Sequence, residues 1–100
     1  MSSVYIISDD SKTDDYKSIV IRLKNAGYIV KSRNMLVKNY HNRFFGSLTR
    51  ENLIKMRINS LLSCDKVCVV GELNDDVSKL EYRIAELTNK KLVKIVGFYR

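Results

Sequence analysis

The sequence predicts an α/β fold in three layers, with a mainly parallel β-sheet between two layers of helices. Four short apolar segments have the length and β-propensity of strands, and segments with helical periodicity lie between them. Strands that alternate with helices favour a parallel sheet that is covered on both faces. Because this length suits one domain, we expect residues 1–100 to form a single domain.

The first two predicted strands flank a helix. Residues 4–7 are apolar and β-prone, which predicts a buried strand. Residues 11–14 have the S-x-x-D form of a capping box that starts the helix. Gly27 is a natural helix stop, and residues 28–30 are the second predicted strand. The apolar face of this helix consists of Tyr16, Ile19, Val20 and Leu23.

The centre of the chain allows alternative interpretations. Residues 35–37 suit a short strand or a turn of helix, and residues 38–46 are basic and aromatic. These aromatic rings suit stacking on nucleic-acid bases, or else a packing or dimer contact. A helix capped near Ser47 or Thr49 follows and ends before Cys64. Its predicted apolar stripe is Ile54, Ile58, Leu61 and Leu62.

The remaining predicted elements are a strand at 66–70, a helix at about 76–89 and a strand at 92–96. Right-handed crossovers place the first strand centrally and give the strand order 2-1-3-4. This is a four- to five-stranded arrangement of the Rossmann-like or flavodoxin-like type. Ligands of such sheets bind in the crevice between strands one and three, where Ser8, Asp9 and Gly71 lie.

The charge of the chain is unevenly distributed. The net charge is +7, and no Asp or Glu occurs between Tyr16 and Arg50. A basic half beside an acidic turn suggests an anionic partner, such as a phosphate or a nucleic acid. The alternative is a solvated basic surface that binds no partner.

Several classes of function are disfavoured by the composition. No apolar run approaches the ~20 residues of a membrane helix, and the first residues lack the basic start of a signal peptide. We therefore expect a cytoplasmic protein without membrane contact. The sequence contains neither a P-loop nor a G-x-G-x-x-G motif. Since Cys64, Cys68 and His41 lack metal-ligand spacing, we expect no metal and no cofactor.

Three carboxylates, Asp75, Asp76 and Glu81, gather where the third strand meets the next helix. A helix turns by about 100° per residue, which places Glu81 about 40° from Val77 and inside the apolar arc. Glu81 should therefore lean toward the sheet, unlike a solvent-facing acid.

A partly buried carboxylate of this kind has two interpretations. One carboxylate can attack or stabilise a reacting centre while a more exposed one transfers a proton. Alternatively, Glu81 lies at the edge of the core and pairs with Lys79, Arg83 or a neighbouring strand, because structural ion pairs also place acids there.

Four segments, in order along the chain, resemble the nucleoside 2-deoxyribosyltransferase-like superfamily and its small phage and bacterial relatives. Residues 4–7 resemble the family's first strand with its tyrosine, and residues 23–30 resemble its L-x-x-x-G-[HY]-x-V segment. Residues 61–67 resemble the L-x-x-[CS]-D-x-V start of a strand. Residues 75–81, followed by Ala85, resemble the D/S-x-G-x-x-x-E helix entry.

The resemblance implies an enzyme that acts on N-glycosidic bonds. Glu81 matches the glutamate that attacks the anomeric carbon of the sugar, and Tyr5 matches the tyrosine that holds this carboxylate. Asp75 matches an acid that contacts the sugar or relays a proton. The family reaction displaces a nucleobase, and a second base or water then resolves the glycosyl-enzyme ester. The predicted substrate contacts are Ser8, Asp9, Gly71 and Ser78.

The chain departs from the family pattern at three places. Residues 8–10 are Ser-Asp-Asp, where the family usually has Gly-Pro or a similar small pair. Ser78 and Lys79 stand where the family keeps small residues. Residues 55–57, Lys-Met-Arg, stand where some members carry an acid on the helix before the third strand.

Three functional hypotheses remain open. The first is a nucleoside or deoxynucleotide deoxyribosyltransferase or hydrolase. The second is a non-catalytic module of the same fold that binds a nucleotide or a protein. The third is nucleic-acid binding through the basic residues 16–50. Because family members often complete the site from a neighbouring subunit, we also expect a homodimer.

Overall fold

The structure is a computed structural model that describes residues 2–9, 14–32 and 49–93. Its elements are β1 (Ser3–Ser8), α1 (Asp14–Asn25), β2 (Ile29–Lys31), α2 (Arg50–Ser63), β3 (Lys66–Val70), α3 (Asp76–Leu87) and β4 (Lys91–Leu92). The predictions for residues 11–13, 33–48 and 94–96 lie outside the described residues.

The four described strands form one sheet in the order β2-β1-β3-β4, and every pair is parallel. The predicted strand order and the parallel sheet are therefore confirmed. β1 lies at the centre, where Tyr5 is in register with Lys31 on one side and Val67 on the other.

Helices cover both faces of the sheet, which confirms the three-layer prediction. The buried cluster on the α1 face consists of Val4, Ile6, Tyr16, Ile19, Leu23, Val30, Cys68 and Val70. The cluster on the opposite face, beneath α2 and α3, consists of Tyr5, Ile7, Leu61, Cys64, Val67 and Ala85. Because successive strand side chains point to opposite faces, Tyr5 lies on the α2–α3 side while both its neighbours face α1.

Local signals set the ends of the helices. The Thr49 hydroxyl caps α2 by accepting a hydrogen bond from the Asn52 amide at 3.1 Å, which confirms one of the two predicted caps. α3 ends at Leu87, two residues earlier than predicted. Asn89 has a φ of 56°, a left-handed conformation that cannot continue the helix.

The apolar stripe predicted for α2 is wrong at Leu62, which is 45% exposed. The buried side chains of α2 are Arg57, Ser60 and Leu61. The helix therefore turns the arc that contains Arg57 toward the sheet, and this rotation brings a cation into the interior beside α3.

Candidate functional site around Glu81

Glu81 is completely buried, with a relative exposure of 0%. It shares the inward face of α3 with Val77, Ser78 and Ala85. The prediction that Glu81 leans toward the sheet is confirmed. Burial of a carboxylate at this depth is costly unless charged and hydrogen-bonding partners accompany it.

Two side chains from other elements hold the Glu81 carboxylate. The Tyr5 phenol on β1 donates a hydrogen bond to Oε2. The Arg57 guanidinium on α2 donates from Nη2 to Oε1 and forms a buried ion pair. The carboxylate thus joins three elements, and each of its oxygens accepts at least one charge-assisted or phenolic hydrogen bond.

The surroundings of Tyr5 raise the pKa of its phenol well above the ordinary value. Burial is the largest cause, and the negative charge of Glu81 and the hydrogen bond to it act in the same direction. Tyr5 therefore holds its proton, and donates it to Glu81, more firmly than an ordinary tyrosine.

Arg57 also titrates above its ordinary range. Burial lowers the pKa of Arg57, but the attraction to Glu81 and the hydrogen bonds to Glu81 and Tyr5 outweigh this effect and raise it. The guanidinium is consequently a permanent cation within the core.

Arg57 is the residue of this candidate site that sequence reasoning missed. One interpretation paired Glu81 with Lys79, Arg83 or a neighbouring strand. The structure shows the hydrogen bond from Tyr5 on the neighbouring strand β1, and it places the ion pair with Arg57 on α2. A helical wheel would have found it: Arg57 lies about 40° from Leu61, on the buried arc of α2. An arginine at that position is buried only if an acid from another element meets it.

Arg57 retains unused hydrogen-bonding capacity. Its Nε atom and the Ser60 hydroxyl, one turn further along α2, are buried without a hydrogen-bond partner among the described residues. Buried donors of this kind are usually satisfied by water or by a polar ligand group. The site therefore contains buried polar groups beyond those of the ion pair.

The end of β1 is tied to the start of α3 above Glu81. Asp9 Oδ2 accepts hydrogen bonds from the backbone amides of Asn74 at 2.6 Å and Asp75 at 3.2 Å. The Ser78 hydroxyl donates to the Ser8 carbonyl at 3.3 Å. Three of the predicted substrate contacts thus meet in the structure, and they hold the crevice between β1 and β3 together. Their role in substrate binding remains a prediction.

The carboxylates at the start of α3 have separate environments. Asp75 is the N-cap of α3, and its Oδ2 accepts from the amides of Val77 and Ser78, each at 3.2 Å. Asp75 and Asp76 are exposed, whereas Glu81 is buried. Glu81 lies about 9 Å further along the helix axis than Asp75, since each residue rises about 1.5 Å.

A cavity of about 480 Å³ lies on the same face of the sheet, within the size range of ligand pockets. Its lining consists of Val69, Gly71, Leu73, Lys79, Tyr82 and Leu92. Gly71, a predicted substrate contact, has a φ of 73° and ends β3 at the cavity wall. Lys79 and Tyr82 are the α3 side chains in this lining. Glu81 projects from a different side of the helix and does not line the cavity.

Other kinds of site find little support in the described ranges. No group of three or more His, Cys, Asp or Glu side chains in residues 2–9, 14–32 and 49–93 could hold a metal ion. Cys64 and Cys68 are both buried. No helix in this part of the chain has the length and apolarity needed to cross a bilayer.

Neither the protein-family models nor the curated proteins contain a match to this chain. Among solved structures, the chain is similar to the 2-deoxyribosyltransferase from the psychrotolerant bacterium Bacillus psychrosaccharolyticus. The superposition has a TM-score of 0.66 at 16% sequence identity and covers 96% of this chain and 77% of the transferase. A likeness at this identity concerns the fold alone. The chain therefore has the α/β architecture found in that deoxyribosyltransferase.

Proposed function

We propose that this protein cleaves or exchanges the N-glycosidic bond of a nucleoside or deoxynucleotide, with Glu81 as the nucleophile. The observation that carries the proposal is the hydrogen bond from Tyr5 to the Glu81 carboxylate. The resemblance assigns these two residues to the nucleophile and the tyrosine that holds it. The architecture shared with a deoxyribosyltransferase supports the class of reaction.

The proposed chemistry is covalent catalysis by a carboxylate. A Glu81 oxygen attacks C1′ of the sugar, the C1′–N bond breaks, and the nucleobase leaves with the bonding electrons. Water or a second base then attacks C1′ of the ester, which restores the Glu81 carboxylate. Tyr5 orients the nucleophile, and Asp75 at the mouth of the site contacts the sugar.

Access is the structural requirement of this proposal. Glu81 is 0% exposed, and the hydrogen bonds of Asp9 and Ser78 hold the start of α3 against the end of β1. The start of α3 must therefore move away from β1 before a sugar can reach the carboxylate.

The second candidate function is nucleoside or nucleotide binding without catalysis. It is favoured by the same burial, because both oxygens of Glu81 are engaged by Tyr5 and Arg57. A carboxylate that is committed to an internal ion pair stabilises the α2–α3 contact and needs no substrate. In this case the ligand would bind in the cavity and would be released unchanged.

Chromatography of the reaction mixture separates the two candidates. The protein is incubated with each 2′-deoxynucleoside and its 5′-monophosphate, with and without an acceptor base. Catalysis predicts free or exchanged base, and acid-quenched protein should carry a sugar ester on the peptide that contains Glu81. Glu81→Gln should abolish turnover, whereas Glu86→Gln, at an exposed position of the same helix, should retain it.

Two outcomes would contradict the catalytic proposal. One is the absence of turnover with every substrate in the panel. The other is turnover that is equal in the unmodified protein and in folded Glu81→Gln. Retention of a nucleoside in equilibrium dialysis without turnover would support the binding function instead.

A further inference from the structure

We propose that the cavity between α3 and β4 binds an aromatic anion, which is a planar ring that carries a phosphate or carboxylate group. The ring lies against Tyr82, and the anionic group lies on Lys79. The inference goes beyond catalysis at Glu81, because that carboxylate does not line the cavity. For nucleotides it rests on the second candidate function, whose ligand it narrows from nucleosides in general to charged ones.

The cavity lies where the helices leave one edge of the described sheet uncovered. β4 is the last strand in the order β2-β1-β3-β4. Leu92 of β4 is in register with Val67 of β3, so both side chains point to the face that carries α3. Val67 is 2% exposed beneath the helices, whereas Leu92 is 39% exposed. A strip of apolar sheet therefore stays open beside α3.

The wall of the cavity is mainly apolar. Val69 and Leu73 line it together with Leu92, and the ring of Tyr82 is 39% exposed within it. The volume of about 480 Å³ suits a small organic ligand. A ring that lies on Tyr82 gains an aromatic contact and covers the open apolar strip, which favours a flat aromatic body.

Lys79 gives the cavity its charge. It is the only charged side chain among the described residues that line the cavity. The ion pairs within the described ranges join other side chains, and Lys79 takes part in none of them. Lys79 and Tyr82 are about 60° apart around α3, so the ammonium group and the phenol project to the same side. Both groups can donate hydrogen bonds to an anionic oxygen.

The carboxylates nearest in sequence leave the wall cationic. Glu72, Asp75 and Asp76 are exposed, and none of them belongs to the described lining. Asp75 accepts hydrogen bonds from the backbone amides at the start of α3. The net charge of +7 favours anions around the molecule as a whole. A cation in an apolar wall then selects the anions that also carry a ring.

The test compares ligands that share a ring and differ in charge. The first pair is 2′-deoxyadenosine 5′-monophosphate and 2′-deoxyadenosine, and the second is 1-naphthoate and 1-naphthamide. Isothermal titration calorimetry of the unmodified protein at low ionic strength should give a Kd about 3- to 5-fold lower for the anion, because a partly exposed ion pair contributes modestly. The difference should shrink as salt is added.

Variants on α3 assign the preference to the cavity. Lys79→Met keeps the apolar stem without the ammonium group and should abolish the preference for the anion, whereas Lys79→Arg should keep it. Arg83→Met is the matched control, because Arg83 is an exposed cation of the same helix outside the described lining. Tyr82→Leu keeps an apolar wall without the ring and should weaken both members of a pair alike.

Methyl signals in nuclear magnetic resonance spectra locate the bound ligand. The methyl groups of Val69, Leu73 and Leu92 should shift when the preferred anion is added. Shifts of the same methyl groups with protein concentration alone would show that a second copy of the chain fills the cavity, and would overturn the inference.

The outcomes separate the inference from the functions proposed above. Equal Kd values within both pairs, or a preference that survives in Lys79→Met, would overturn the inference and leave nucleoside binding intact. Charge-dependent binding of 1-naphthoate alone would support the inference and identify an aromatic acid, in place of a nucleotide, as the ligand. Binding of none of the four compounds would remove both the inference and the binding function. Turnover at Glu81 is measured separately by the chromatography described above.

Discussion

The phenol of Tyr5 on the central strand donates a hydrogen bond to the carboxylate of Glu81, 76 positions later in the chain. The contact joins the first strand to the last described helix across the middle of the sheet. It makes one buried carboxylate both a structural link and the candidate nucleophile. The predictions below separate these two roles.

Removal of the cation should destabilise the fold strongly. Arg57→Met leaves the Glu81 carboxylate buried without its charged partner, and we expect a loss of about 3–5 kcal/mol in the free energy of unfolding. The double variant Arg57→Met with Glu81→Gln should recover much of this loss, because it no longer contains an unpaired buried charge. Urea unfolding measures the free energy of unfolding of the unmodified protein, of Arg57→Met and of the double variant.

Lys55→Met is the matched control for this prediction. Lys55 pairs with Glu51 on the same helix at 3.2 Å, but both side chains are largely exposed. We expect this variant to lose less than about 0.5 kcal/mol. Equal losses in Arg57→Met and Lys55→Met would contradict the buried ion pair.

Tyr5 should make the fold sensitive to alkaline pH. In the unfolded chain the phenol ionises around its ordinary pKa of 10.0, whereas in the folded protein the pKa is raised and the proton is retained. Above that unfolded-state pKa, the folded state binds more protons than the unfolded state. The contribution of Tyr5 to the free energy of unfolding is therefore complete at lower pH and is lost as the pH rises. The expected slope is about 1.4 kcal/mol per pH unit.

Tyr5→Phe should remove this slope. The variant also loses the hydrogen bond to Glu81, which should cost about 1–3 kcal/mol at neutral pH. Tyr82→Phe, at a partly exposed position, should behave as the unmodified protein. Urea unfolding between about pH 9 and pH 11 measures the free energy of unfolding of each protein. The same dependence on pH in Tyr5→Phe and in the unmodified protein would refute the raised pKa of Tyr5.

Two substitutions at Asp75 separate capping from substrate contact. Asp75→Ala removes the N-cap of α3 and should cost about 1 kcal/mol, whereas Asp75→Asn keeps a good cap and should preserve stability. Under the proposed function, Asp75→Asn should nevertheless raise KM, because it loses the charged contact to the sugar. An unchanged KM in the stable Asp75→Asn variant would mean that Asp75 caps α3 and does not contact the substrate.

Under the binding function, the cavity beside α3 should hold the nucleobase. Tyr82→Ala removes the aromatic wall, and a stacking loss of about 1–3 kcal/mol corresponds to a nucleoside Kd at least ~5-fold higher in equilibrium dialysis. Leu87→Ala is the control, since Leu87 is 66% exposed on the same helix and does not line the cavity. An equal Kd in both variants would place the base elsewhere.

The order of strands and helices could be predicted because it rests on local patterns. β3 was predicted with its observed bounds, since a continuous apolar run bounded by polar residues has few alternatives. The crossover rule then gave the strand order. The prediction for α2 failed at Leu62, because that helix carries a weaker apolar stripe and packing against α3 determined its rotation.

The sequence by itself determined that Glu81 faces inward, because the helical repeat fixes its angle relative to Val77 and Ala85. Tertiary structure alone decided how deeply it is buried and which cation meets it. Arg57 and Glu81 are 24 positions apart on different helices, so their contact depends on the rotation and the approach of both helices on the sheet. Periodicity gives the direction of a side chain, whereas the identity of its partner is set by packing between elements distant in sequence.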